Sequence, residues 1–349
     1  MCDNEALYLE RNIARDAVLF NPPKKGVTKA MAKEWKPVSK EEERRLQEAG
    51  RGVRYMIDPE TGDALPAAQE LKPAVGYRDA GRSVYLPEEF AELLKDLPFA
   101  RVVLSGLTTM WLDSPDRDGC YERIKGNERL VMATVRTTLG AICRAIGLSP
   151  GGKNRMRVKR ALEALHVTRY RNLHFWRAVV EGKRGKKRVE AVREDLTVLA
   201  PRLRFLQAVV DGKASDVTVI VSLCEPLTRA LLLDTPKARI PLKALKATYG
   251  RSQAARETQN LLFYLAAVSP EKKGRALRFK EETLLGVMRP EGARRDKNLR
   301  RLERALDLLK KAGFLKWWRK ENGAYLVKKA GSGKPEAGGQ EEETSVAFF

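Results

Sequence analysis

Histidine and cysteine are scarce in this sequence. Among 349 residues there are two histidines, His166 and His174, and four cysteines, Cys2, Cys120, Cys143 and Cys224. The histidines stand too far apart for the His-apolar-His metal motif of rolling-circle nickases. No C-x-x-C pair offers a zinc site or a disulfide framework. The cysteines are expected to be small buried hydrophobes in a reducing compartment, and neither a metal nor a cofactor is expected. Asn and Gln together number 15, a shortage that, beside abundant Arg, Leu and Glu, suggests a thermophile or a GC-rich genome. No run approaches the roughly 18 consecutive apolar residues of a spanning helix. The opening MCDNEALYLE lacks the basic-then-apolar order of a secretory signal. The expectation is a soluble, cytoplasmic protein with no membrane contact.

Positive charge, by contrast, is abundant. Lys and Arg number 67 against 45 Asp and Glu, a formal net charge of +22 with a pI near 9.9. Charge of that size selects anionic partners, nucleic acid first among them. It is also segregated. Residues 151–193 hold 14 basic and 3 acidic side chains, residues 289–330 hold 14 and 5, and residues 1–95 hold 16 and 17. Two dedicated anion-binding stations explain this better than a generally basic surface.

The two stations are copies. Lys153 to Leu165 aligns without gaps on Lys297 to Leu309, with seven identities in thirteen positions: K-N-x-x-R-[VL]-x-R-A-L-[ED]-x-L. Upstream, Thr138-Leu139 faces Thr283-Leu284. The period is far too long for a solenoid and points to a duplicated domain. At about 100° per residue, Val158, Leu162 and Leu165 centre an apolar stripe, while Lys153, Arg157 and Arg160 centre a basic one about 140° away. Lys297, Arg301 and Arg304 repeat the basic stripe. Cations near a helix start oppose the macrodipole, a cost that bound phosphates would offset.

Around the second copy, Ser252 to Val268 reads as a helix, Ala276 to Phe279 as a short strand and Glu281 to Met288 as a shorter helix. After the long helix, Gly313 is a natural stop. Phe314 to Arg319 and Ala324 to Val327 read as strands joined by the hairpin signal Asn322-Gly323. This is a winged-helix order. In the first copy, Leu130 to Arg136 predicts a strand, Thr137 or Thr138 caps a helix to Ile146, and the long helix runs from about Lys153 to His166. Strands are expected near 170–180, 203–210 and 217–223, with Glu181 to Arg188 as a basic wing tip; the spacing leaves 188–200 open between helix and strand.

The fold class expected is therefore α+β: two tandem winged-helix domains related by duplication, at 98–233 and 234–330. Residues 1–97 read as an N-terminal arm of low order, with short helices at 40–48 and 87–97. Residues 331–349 read as a flexible acidic tail ending in Phe348-Phe349, a candidate partner-binding element. In helix-turn-helix proteins the start of the second helix of the motif enters the major groove. The DNA-binding candidates are thus Lys153, Asn154, Arg155, Arg157 and Arg160, the wing residues Lys183, Arg184, Lys186 and Lys187, and, in the second copy, Arg294, Arg295, Lys297, Asn298, Arg301, Arg304 and Lys320. Asn154 and Asn298 either read adenine or cap the helix. Reversing charge at Arg157 and Arg301 is expected to weaken binding, and both together to abolish it. Gly147 to Asn154 nearly matches a phosphate loop, but Asn replaces the hydroxyl residue and a helix precedes it. A strand-transfer tyrosine such as Tyr249 or Tyr325 would need histidines or an acidic metal cluster that the sequence does not show. No enzyme is expected.

Two tandem basic winged-helix domains over roughly 98–329 resemble the iteron-binding plasmid replication initiators (RepA, RepE and TrfA type). The order of Val219-Ile220-Val221, Pro226 to Leu233, Pro241 to Thr248 and Ala254 to Leu265 agrees with that resemblance. It implies binding to direct repeats in duplex DNA at an origin, melting of a neighbouring AT-rich stretch, recruitment of a host initiator and helicase, and exchange between homodimer and monomer. The long arm and the heavy first wing depart from the shorter members. A winged-helix transcriptional repressor is the alternative.

Overall fold

The computed structural model describes residues 6–16, 20, 36–37, 55–57, 64–66, 74–79, 82–115, 119–124, 127–181, 187–207, 209–210, 213–214, 216–232, 237–250, 252–268, 276–290 and 294–330. It mixes helices and antiparallel sheets, and one order of elements occurs twice. A strand at Ala6–Leu9 and helix α1 (Arg11–Arg15) come first. The first unit then runs α2 (Leu97–Asp113), strand Asn127–Thr138, α3 (Leu139–Ala145), α4 (Gly152–Val167), and strands Arg202–Leu206 and Thr218–Ser222. Helices α5 (Glu225–Leu232) and α6 (Leu242–Ala247) lead to the second unit. That unit runs α7 (Gln253–Ala267), strand Leu277–Lys280, α8 (Glu281–Met288), α9 (Arg295–Lys311), and strands Leu315–Glu321 and Ala324–Lys329. In the three-stranded sheet of the second unit the last strand lies between the other two; in the four-stranded sheet of the first, which has Gly119–Ile124 at one edge, it lies between Arg202–Leu206 and Asn127–Thr138.

Local chemistry accounts for the boundaries. Thr138 caps α3 by accepting from Ala141 N at 3.1 Å, and Ser252 caps α7 by accepting from Ala255 N at 3.2 Å. Thr283, by contrast, is the third residue of α8 and exposed, so the matched Thr-Leu pairs are not matched caps. The turn between the last two strands holds Asn322 at φ 47° and Gly323 at φ 70°, the doubly left-handed geometry that a two-residue hairpin requires. Helix α2 is apolar almost all round and buried from Leu97 to Thr109. Its hydroxyls are satisfied by backbone: Ser105 Oγ donates to Val102 O and Thr109 Oγ1 to Ser105 O, both at 2.7 Å. A helix with no polar face belongs in the middle of a domain.

Two expectations need correction here. First, residues 1–97 are not uniformly an arm of low order. Leu7, Leu9, Ile13, Ala14 and Phe20 are fully buried. Ala6–Leu9 pairs antiparallel with Ala238–Pro241, and Tyr8 gives its N–H to Thr109 Oγ1 at 2.7 Å while its carbonyl accepts from Thr108 Oγ1. The alternating Leu7 and Leu9 fill the seam between the units. The helix expected at 40–48 lies outside the described residues; the one at 87–97 is a 3₁₀ helix, Glu88–Asp96. Second, the hairpin Arg169–Glu181 and Lys187–Val198 does not join the sheet of the first unit. It is inserted between α4 and Arg202–Leu206 and pairs, through Arg169 to Arg171, with Ser83 to Tyr85. Strand Thr218–Ser222 pairs with Asn127–Thr138 on one side and Arg202–Leu206 on the other, so these are the strands that follow α4 in that sheet. Residues 187–198, left open above, are strand.

Glu10 marks the N-terminal seam electrostatically. Its carboxylate caps α1, accepting from Ile13 N at 2.8 Å. Burial, opposed by that bond and by Arg15 and Arg11, raises its pKa from 4.5 to about 7. The folded protein thus holds a proton that the unfolded chain releases between those values. The stability this contributes is full below pH 4.5 and is lost as pH rises through 7, up to about 3 kcal/mol. Glu10→Gln is expected to flatten that segment of a urea-midpoint against pH curve.

Candidate nucleic-acid interface

Helix α4 buries Val158, Ala161, Leu162, Ala164 and Leu165, as the apolar stripe requires. Its arginines mostly serve the fold. Arg155 lies 3.5 Å from Asp216, whose other oxygen accepts from Gly140 N at 3.2 Å. Arg157 stacks on the Phe99 ring of α2, its guanidinium carbon 3.8 Å from the centroid. Arg160 bonds Asp96 at 2.9 Å and faces Glu92 at 3.5 Å. Asn154 donates its amide back to Ser149 O at 2.9 Å and Ser149 Oγ at 3.2 Å, closing the turn before the helix. Lys153 is exposed with no ionic partner among the described residues.

The second unit differs. Arg295 bonds Glu281 at 3.0 Å and Glu282 at 3.2 Å, and Lys320 reaches Glu281 at 2.6 Å. Hydrogen bonds from Lys320 and then Arg295 hold the Glu281 carboxyl below the usual carboxylate range. These two cations therefore tie the hairpin and the start of α9 to α8. Arg301 bonds Glu257 of α7 at 3.2 Å, and the Glu257 side chain is only 1% exposed. Asn298 is half-buried, with its backbone N–H on Arg294 O at 3.1 Å. Arg294, Lys297, Arg300, Arg304 and Lys311 are exposed, with no ionic partner among the described residues. At about 100° per residue, Lys297, Arg300, Arg304 and Lys311 form one ridge facing away from the buried Leu302, Ala305, Leu306 and Leu309.

The structure thus divides the expected basic faces into residues with partners inside the fold and residues without an ionic one among the described residues. Arg157 and Arg301, identical between the copies, both pack on the first helix of their own unit. Their shared identity has a structural cause. Arg155, Arg160, Arg295 and Lys320 are likewise engaged with carboxylates. Exposed and without an ionic partner among the described residues, from the expected set, are Lys153, Arg294, Lys297 and Arg304. Arg300 was missed because only positions identical in both copies drew attention, and its counterpart is Met156. Lys183, Arg184 and Lys186 lie outside the described residues, as do Phe348, Phe349 and the whole 331–349 tail; Lys187 begins a strand. Removing Arg301 strands a buried carboxylate, so Arg301→Ala is expected to lower unfolding free energy by about 2 kcal/mol, read as a shift in urea midpoint.

The remaining chemistry-bearing groups also serve packing. Tyr249 donates to Ile146 O, and burial raises its pKa well above the usual phenol range. Tyr325 is fully buried and meets Glu303 at 3.1 Å. His166 Nδ1 lies 2.8 Å from Ala200 O. Gly147, the first glycine of the phosphate-loop lookalike, takes φ 75° in the turn after α3. Cys143 and Cys224 are buried free thiols.

No known family model matches the chain, and no curated protein matches it. Among solved structures it is similar to crystal structures of domains 2 and 3 of RctB. One, a selenomethionine derivative, superposes with a TM-score of 0.37 at 12% identity, covering 74% of this chain and 91% of that one. Another gives 0.36 at 11% identity, covering 74% and 90%. At that level of superposition neither likeness fixes the function of this chain.

Proposed function

We propose that the chain is a sequence-specific double-stranded DNA-binding protein, built from two winged-helix units of common origin. Its proposed task is to initiate plasmid replication by binding repeats at an origin. The carrying observation is the ridge of Lys297, Arg300, Arg304 and Lys311, unneutralised among the described residues, on the third helix of the second unit. In this order of elements that helix is the one that enters a major groove, and cations on its outer face match the phosphates lining it. The replication role, with a host initiator and helicase as partners and exchange between homodimer and monomer, rests on the resemblance to plasmid initiators. The protein acts by binding, not by catalysing a reaction.

Selection of bound duplexes from random DNA, followed by footprinting on the natural locus, tests this. Several direct repeats spaced by whole helical turns are the expected result. A single palindrome at a promoter would make the protein a transcriptional regulator instead, and enrichment of no duplex would remove DNA binding altogether.

A further inference from the structure

We propose that the two units read different bases through one equivalent position: Met156 of α4 meets a thymine methyl, and Arg300 of α9 meets guanine. This rests on the duplex-binding reading above and deepens it.

The gap-free alignment places Met156 opposite Arg300, and each points away from the core of its own unit. Met156 is 58% exposed, more than Phe90, Leu206 or Leu232, the other exposed large hydrophobics. It sits one turn beyond the exposed Lys153 and three residues before Lys159, in a helix whose surface is otherwise polar. Exposing so large an apolar side chain among cations is unfavourable in water, and the described residues leave more than half of it uncovered. A Cβ at Gly151 or Gly152 would meet no atom within 4 Å, so approach to this end of the helix is open. Further along, Asp96 and Glu92 offset the charge of Arg160, leaving Met156 as the distinctive group on the outer face.

The thymine methyl is the apolar feature that base edges present in the major groove, whereas guanine offers the paired acceptors that suit a guanidinium. A methionine flanked by a phosphate-seeking lysine fits the first. Arg300, flanked by Lys297 and Arg304, fits the second. The duplicated helix has kept its packing residues and diverged at the position that faces outward, so one protein distinguishes two half-sites.

The test uses the full chain and the duplex that it enriches most from a random pool. Each thymine is replaced singly by deoxyuridine, which removes only the methyl. One replacement is expected to weaken the wild type about three- to tenfold. Met156→Ala should be indifferent to that replacement, Met156→Leu should retain part of the sensitivity, and Lys153→Gln should weaken all duplexes alike. Arg300→Ala should relax a guanine preference about tenfold at a separate position. If no deoxyuridine duplex separates wild type from Met156→Ala, the inference fails while the DNA-binding reading stands. It also fails if Met156→Ala disrupts self-association and leaves the selected sequence unchanged, which would make Met156 a protein contact. If no duplex is enriched, both fall together.

Discussion

A Lys297→Glu, Arg304→Glu double variant is expected to bind duplex DNA about 100-fold more weakly than the wild type. Lys297 and Arg304 of the α9 ridge are each assigned a phosphate, and one charge-assisted contact is worth roughly 1.5 kcal/mol, about tenfold. The plot of log affinity against log salt should flatten by about two units, one per counterion no longer released. Both residues face away from the core, so the urea midpoint should stay at the wild-type value. Arg157→Glu and Arg301→Glu provide the contrast. Their partners are the Phe99 ring and the buried Glu257, so their principal effect should be on stability. A ridge variant with undiminished affinity would sink the assignment of α9.

The second large effect concerns the seam between the units. Arg101 of α2 is fully buried. Its Nη2 donates to Asn260 Oδ1 of α7 at 2.6 Å, and its guanidinium lies over Phe263 at 4.2 Å and Phe20 at 5.6 Å. Burial lowers its pKa to about 9, against the opposing pull of Asp16, so it remains a cation at neutral pH. One side chain thus joins both first helices and the N-terminal segment. Arg101→Leu is expected to destabilise the protein by about 3–5 kcal/mol, because the buried Asp16 loses a compensating charge. That corresponds to a fall of roughly 4–7 °C in Tm. Asn260→Ala should cost less, about 2–3 kcal/mol, because it removes the acceptor of the Arg101 bond and the donor to Met288 O. An Arg101→Leu protein that melts with the wild type would show that the seam is held by apolar contact alone.

Which parts of this architecture were legible in the sequence follows from the physics of each element. The hairpin at Asn322-Gly323 and the helix Glu281–Met288 are legible, because local signals of turn and periodicity agree with their tertiary setting. Helix α2 did not: with leucine, valine and threonine on every side it has no amphipathic period to detect, and burial all round erases the pattern. The long hairpin of 169–198 looked like a wing because a wing must follow the third helix. Only the pairing of Thr218–Ser222 with Asn127–Thr138 reveals that the slot was taken. For the site, residue type was readable and direction was not. A periodicity argument puts Arg157 and Arg301 only about 40° from Lys153 and Lys297, yet that rotation carries them against Phe99 and Glu257. Identity between the copies does not separate ligand binding from packing, and at these positions it coincides with contact to a neighbouring helix.

The strand Ala6–Leu9 sets a timetable for biosynthesis. Its partner, Ala238–Pro241, leaves the ribosome only after the intervening first unit has been made, a wait of roughly ten to fifty seconds at about 5–20 residues per second. During that interval the nascent N-terminus offers an unpaired β edge, the kind of surface on which chains aggregate. An affinity tag fused ahead of Ala6 would have to be accommodated beside a strand pair that closes only after the first unit is complete.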